Sequence, residues 1–258
     1  MRICVAQTRP VKGDIQTNIR NHKTIIDVAV SHAADIIIFP ELSLTGYEPE
    51  LAKDLAIDTN DTSLSDFQTL SDTHEITIGV GMPTKNGTAP SISMIIFQPR
   101  KARQVYSKKY LHADEEPFFV SGENLLCSLS NQTNVALAIC YELSIPEHAE
   151  NAFKTGGEIY IASVAKSVSG IAKATERLAD IAKTYSMTVL MSNCIGLCDG
   201  MDCGGRTSAW NNKGVLLGQL DDVSEGILIL DTETQEVTSL VIEDHLQQKN
   251  LMDYRTAL

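Results

Sequence analysis

The chain has no apolar run approaching the ~20 residues that a membrane-spanning helix needs. It opens Met1-Arg2-Ile3-Cys4-Val5-Ala6-Gln7, without the extended apolar stretch or small-residue cleavage site of a secretory leader. Basic residues are scarce: 21 Lys and Arg stand against 33 Asp and Glu, a formal net charge of −12, and no basic run occurs. So acidic a surface repels phosphate backbones, which excludes nucleic acid as a partner, and nothing favours a membrane. Internal repeats, low-complexity tracts and Pro/Gly/Ser-rich linkers are absent too, so no boundary divides the chain. The six cysteines could pair, but without a secretion signal they read as free thiols of a reducing cytoplasm. The N-x-T matches at Asn60, Asn86 and Asn131 are chance sequons by the same reasoning.

What is present is an ordinary globular composition, 43% hydrophobic and 21% charged over 258 residues, enough to bury one large core. Residues 3–8 read as a buried strand. Asp14 is placed to cap a helix whose face is Ile15, Ile19, His22, Ile26 and Val30. His22 on that stripe reads as a packed, hydrogen-bonded histidine. Strands are predicted over 35–39, 76–80, 91–97, 135–139, 158–163 and 188–192, and helices over 64–70, 145–154 and 172–185. Short strands follow near Thr207, Val215 and Ile227. From about residue 232 the chain turns polar and reads as a C-terminal arm. Strands and helices mixed without a composition break point to a single layered α/β domain over 1–258.

Chemistry concentrates where apolar strands end. Phe39-Pro40-Glu41 puts a carboxylate at a strand's carboxyl edge, where α/β proteins place ligands. Ser107-Lys108-Lys109-Tyr110-Leu111-His112 brings two adjacent lysines, of which only one can enter a site, because neighbours on an extended chain face opposite ways. Ile139-Cys140-Tyr141-Glu142 ends an apolar strand in a cysteine, with Pro146 opening a helix soon after. A thiol beside a helix start and a lysine is expected to favour its thiolate. Taken singly, each of these is more often a solvated or core residue.

Taken in order, Glu, Lys and Cys with their flanking residues resemble the nitrilase superfamily of carbon–nitrogen hydrolases. Gly13-Asp14 with Asn18, Ala34-Asp35, Phe39-Pro40-Glu41 and Thr45-Gly46-Tyr47 match the opening block. Lys109-Tyr110-Leu111 matches the lysine block, and Cys140-Tyr141-Glu142 with Pro146-Glu147 the cysteine block. Asn193, Gly196, Gly205 to Ser208 and Gly214 match the C-terminal pattern. The resemblance implies a four-layer α-β-β-α sandwich in a single domain. It also implies a triad of Glu41 as general base, Lys109 as transition-state stabiliser and Cys140 as nucleophile, acting without metal or organic cofactor. A second glutamate of the family falls on Glu115, with Glu116 the alternative. The substrate would be a small amide cleaved through a thioester, or an N-carbamoyl compound, with Tyr47, Tyr141, Glu142 and Lys166 around it. A homodimer is implied as well, and the stretch Thr232–Leu258 is suited to cross onto a second subunit.

Glu142 departs from the Asp common in amidase-like members, and Tyr141 favours amides over nitriles. A rival reading is a metal-binding or redox module on Cys194, Cys198 and Cys203. Their Cys-x3-Cys-x4-Cys spacing matches no common structural zinc pattern, and no histidine lies close in sequence to complete four ligands.

Overall fold

A computed structural model of the chain describes residues 1–123, 129 and 133–242. The first half contains β1 (Arg2–Gln7), α1 (Ile15–Ser31), β2 (Ile36–Ile38), α2 (Ala52–Leu55), α3 (Ser65–His74), β3 (Thr77–Asn86), β4 (Ala89–Phe97) and β5 (Gln104–Ser107). After these come β6 (Val135–Ile139), α4 (Pro146–Lys154), β7 (Ile159–Ser163), α5 (Ile171–Tyr185) and β8 (Thr188–Ser192). The chain then continues through β9 (Ile195–Cys198), β10 (Met201–Gly204), β11 (Ser208–Trp210), β12 (Leu216–Gln219), β13 (Gly226–Asp231) and β14 (Val237–Val241).

Local sequence explains where these elements begin. Asp14 caps α1 by accepting from the Thr17 N–H at 3.0 Å. Pro146 starts α4, where its missing N–H costs nothing. The strands assemble into a seven-stranded sheet, β14-β13-β1-β2-β3-β4-β5, and a five-stranded sheet, β12-β11-β8-β7-β6, with β9 and β10 as a separate hairpin.

Alternation along the strands shows the layering. In β1, Ile3 and Val5 pack into the core shared with the five-stranded sheet, while Cys4 and Ala6 face the helical layer of α1 and α3. Ile36 and Ile38 divide from Ile37 in the same way. On the far side, Leu178, Ile181 and Ala182 of α5 close over the five-stranded sheet. The result is the four-layer α-β-β-α sandwich. The central strands are covered on both faces, which is why they read as unbroken apolar runs.

Two expectations change. Residues 237–241 pair with β13 as an edge strand and Ile242 is buried, so an arm beginning near 232 is not what these residues form. Residues 243–258 lie outside the described part. The hairpin β9–β10 has no counterpart among the predicted strands, since each of its strands is four residues long and neither alternates clearly. Among the described residues, no helix is long and apolar enough to cross a membrane.

Candidate active site

Glu41 leaves the carboxyl end of β2 through Phe39-Pro40 and is buried. Its loop rests directly on β3. The Leu44 N–H donates to the Gly81 carbonyl at 3.0 Å, and the Ser43 hydroxyl accepts from the Gly81 N–H at 3.2 Å. A Cβ at position 81 would lie 2.4 Å from both the Pro40 oxygen and the Leu42 nitrogen, so only glycine permits this approach. His22 supports the loop from below. Its Nδ1 meets the Asn18 carbonyl at 2.7 Å and its Nε2 meets the Ser43 hydroxyl at 2.9 Å, while the ring stacks on Phe39. A carbonyl only accepts, so Nδ1 carries the proton and Nε2 accepts from Ser43. Burial pushes the ring's pKa down to about 3, and it is the packed, hydrogen-bonded histidine that the α1 stripe predicts.

The lysine comes from the end of β5. Tyr106 and Lys108 are buried and Lys109 is exposed. The Lys108 ammonium, fully buried, donates to Glu41 Oε1 at 2.9 Å and to Glu115 Oε1 at 2.6 Å. The structure therefore corrects Lys109 to Lys108. The Lys109 ammonium lies outside, 5.4 Å from the Tyr110 ring centre, and only its backbone N–H joins the framework, donating to Glu142. The reason is strand parity. Tyr106 anchors the inward face of β5, and the residue two further on shares that face. Parity alone does not tell which face turns inward; the packed fold does, and the motif register pointed one residue too far.

Of the two candidate accessory glutamates, Glu115 is buried and Glu116 is exposed. Besides Lys108, Glu115 accepts from the Tyr47 hydroxyl at 2.9 Å and the His112 N–H at 2.8 Å. Gly122 closes the segment over the lysine, its N–H donating to the Lys108 carbonyl at 2.7 Å. A Cβ there would meet Ser107 Cβ at 2.3 Å.

Cys140 ends β6 and begins a 3-10 turn, Cys140–Ser144, with φ 43°. A side chain in the left-handed region costs about 1–3 kcal/mol and persists only when its surroundings enforce it. Glu142 does much of the enforcing. Its carboxylate accepts from the Ile139 N–H at 2.9 Å, the Lys109 N–H at 2.8 Å and the Tyr106 hydroxyl at 2.6 Å. Tyr106 in turn contacts His148, whose other ring nitrogen meets the Tyr160 hydroxyl. Glu142 is thus a fully buried brace between the cysteine turn and the lysine strand, which corrects the expectation that it lines a substrate pocket. No sequence signal joins Tyr106, Glu142 and His148, which meet only through the fold.

The electrostatics set the resting protonation. Burial raises the Cys140 pKa to about 11, and the Glu41 carboxylate adds to this, while Lys166 and Lys108 pull it down. Cys140 therefore rests as a thiol, contrary to the thiolate expected from its place before a helix. Burial also raises Glu41, with Lys108 opposing and Glu115 reinforcing the shift. For Lys108, burial alone would lower the pKa, but Glu41, Cys140 and Glu115 outweigh it and the group stays an ammonium. Glu41 Oε1 is held by that shared ammonium. Oε2 is buried without a regular hydrogen bond, and the Cys140 thiol beside the carboxylate favours its charged form. A buried carboxylate, a thiol and a fixed ammonium thus occupy one cluster.

A cleft of about 540 Å³ opens next to it, lined by His112, Tyr141, Leu143, Lys166, Lys173 and Arg177 among others. Tyr141 and His112 meet edge to face at 5.0 Å. Lys166 is fixed through its backbone, with its N–H donating to Asn193 Oδ1 at 2.8 Å. A larger depression of about 770 Å³ lies elsewhere, by Phe153, Tyr185 and Asn211. Neither lining includes the clustered side chains themselves, but the smaller cleft takes in Tyr141, which follows Cys140 directly, and Lys166, which acts on the Cys140 thiol. The Tyr47 ring packs beside the site with its hydroxyl on Glu115.

Residues 2–240 match the sequence profile of the carbon-nitrogen hydrolase family. The chain is 24% identical over 246 residues to a glutamine-dependent NAD(+) synthetase of Thermotoga maritima, covering 92% of this chain but 42% of that protein. It is 25% identical over 244 residues to a protein named hydrolase in agr operon from Staphylococcus aureus, covering 92% and 93%. The chain thus spans less than half the length of the synthetase and nearly all of the hydrolase. The fold is shared with an amidase from Nesterenkonia sp. AN1. For a glutamate-to-glutamine mutant of that amidase, carrying a Michael adduct of acrylamide at its active-site cysteine, the TM-score is 0.82 and the identity 21%, with both chains fully covered. A cysteine-to-alanine mutant of the same amidase in complex with butyramide gives TM-score 0.81 and 21% identity, covering 100% and 97%.

Proposed function

The chain belongs to the carbon–nitrogen hydrolase family, within the nitrilase superfamily, and from that premise we propose that it hydrolyses a small amide through a Cys140 thioester. The observation carrying this is the buried cluster in which Lys108 holds Glu41 and Glu115 beside the Cys140 thiol.

Each group has a definite task. Glu41 takes the thiol proton as Sγ bonds to the amide carbon, and the carbonyl π electrons move onto oxygen. Pre-setting the thiol as an acid of pKa about 11 makes a neighbouring base necessary, and a glutamate raised by burial is better matched to that transfer than an ordinary one. The Lys108 ammonium and the Tyr141 backbone N–H, which belongs to the first turn after the nucleophile, stabilise the oxyanion. Glu41 then returns its proton to the departing nitrogen, the C–N bond breaks, and ammonia or an amine leaves. Water deprotonated by Glu41 attacks the thioester, releasing the acid and restoring the thiol.

Lys166, close enough to pull the Cys140 pKa down, favours substrates bearing a carboxylate, such as ω-amides or N-carbamoyl amino acids, while further along the cleft Lys173 and Arg177 are offset by Glu176 and Asp180. A panel of simple amides, ω-amides and N-carbamoyl compounds, assayed for ammonia, tests the reading. Turnover is expected in the wild type and none in Cys140→Ala or Glu41→Gln. Ammonia release persisting in Cys140→Ala would sink the thioester mechanism.

A further inference from the structure

Behind the active site lies a second group of sulfur atoms that the hydrolytic mechanism does not use. The hairpin β9–β10 pairs Met201 with Cys198 and Cys203 with Gly196, so Cys198 and Cys203 are diagonal neighbours across the ladder. Cys194 precedes β9 and is tied to the chain start by a bridge to Thr8. Residues four apart on a straight strand are separated by ~13 Å. Here Gly196 takes φ 81° and curls the backbone, and the Sγ atoms of Cys194, Cys198 and Cys203 all fall within 4.8 Å of one another. All three are buried and none is in a disulfide.

We propose that Cys194, Cys198 and Cys203 form a three-sulfur site for a soft monovalent cation, copper(I). The donor set argues for this. Three thiols converge, the Met201 side chain packs against them together with Ala165 and Tyr47, and no histidine or carboxylate among the described residues joins the cluster. Thiolate and thioether sulfur suits both copper(I) and zinc, but structural zinc is almost always four-coordinate and would lack a fourth protein ligand here. With metal–sulfur bonds of ~2.3 Å, a cation centred among three sulfurs sets them ~4 Å apart, a small contraction from the spacing found. Cys194 and Cys203 hydrogen-bond with Cys198, which also receives the Tyr47 backbone N–H. On uptake S–Cu bonds form, and each thiol that binds gives its proton to solvent. No oxidation is involved.

The site touches the catalytic cluster from two sides. Tyr47 offers its backbone to Cys198 and its hydroxyl to Glu115. Strand β10 hydrogen-bonds to the backbone of Lys166 through the Gly204 N–H at 2.7 Å.

The test is an anaerobic titration of the Cys140→Ala protein, which lacks the active-site thiol, with copper(I) competed by a chromophoric chelator. One equivalent of tight binding is expected, with affinity about tenfold or more weaker in Cys140→Ala carrying also Cys203→Ser or Cys198→Ser. Bound copper(I) should also shield Cys194, Cys198 and Cys203, but not Cys4, from alkylation read by mass spectrometry, a measurement that needs no further cysteine variant to fold. Absence of competitive binding, binding undiminished by the serine variants, protection located at other cysteines, or zinc(II) bound in preference to copper(I) would each overturn the proposal.

Discussion

At the residue scale the site turns on one position. Lys108 is the only cation touching Glu41 among the described residues, and its neighbour Lys109 points to solvent. Under the proposed mechanism Lys108→Ala removes an oxyanion donor, worth roughly 10²–10³ in rate. It also leaves two buried carboxylates without their counter-charge, a loss of about 3–5 kcal/mol of stability. Lys109→Ala should stay within about 0.5 kcal/mol of wild type and keep its activity. Steady-state rates and urea midpoints of the two variants decide between them. The thiol makes a second expectation. Because Cys140 rests protonated with a pKa of about 11, its alkylation by iodoacetamide should keep accelerating past the ordinary thiol value of 9.0 and not level off there. Activity should rise with pH through the raised pKa of Glu41, since only the carboxylate can take the thiol proton. That acidic limb should survive His112→Asn, because the His112 ring is exposed and pairs with Asp114 outside the cluster. A limb that vanished in this variant would move the base from the glutamate to the histidine.

At the scale of elements, the decisive feature is the cysteine turn and the brace that holds it. A strand running straight on from β6 would carry the thiol past Glu41, and φ 43° at Cys140 ends it there. Glu142 stabilises that turn by taking two backbone N–H groups and a tyrosine hydroxyl. In Glu142→Ala the two N–H donors lose their acceptor at about 1–3 kcal/mol each, a total of roughly 2–6 kcal/mol. The variant should melt lower, and in the folded fraction kcat should fall because the turn that carries Cys140 is loosened, with KM rising as well because Tyr141 and Leu143 of the same turn line the cleft. Unchanged kcat in folded Glu142→Ala would show that the turn holds itself. The elements themselves were mostly legible in advance. The α1 stripe, the apolar runs of β2, β6 and β7, and Pro146 at the head of α4 carry strong local signals. The β9–β10 hairpin and β14 do not, because four- or five-residue strands at an edge bury too little to show a period.

Over the whole molecule, the two sheets and their helical layers bring segments from across the chain into one buried cluster, and that burial links stability to pH. His22 is neutral in the folded protein with a pKa of about 3, against an ordinary 6.5. The unfolded chain therefore binds a proton that the folded one refuses. The contribution is complete above about pH 6.5 and is lost as pH falls toward 3, at up to about 1.4 kcal/mol per pH unit. Unfolding free energies measured between these limits should fall less steeply in His22→Gln than in wild type. Equal slopes would mean that the ring is not held neutral. By itself the sequence determined the layered α/β class, the strand-end glutamate and cysteine, and the packed role of His22, because hydrophobic period, turn residues and motif order are local properties. Only the tertiary structure decided between Lys108 and Lys109, selected Glu115 over Glu116, made Glu142 a brace and gathered three cysteines around Gly196. Those outcomes depend on which face of a strand meets which neighbour and on the charge left there after burial, and neither quantity exists until distant segments have packed together.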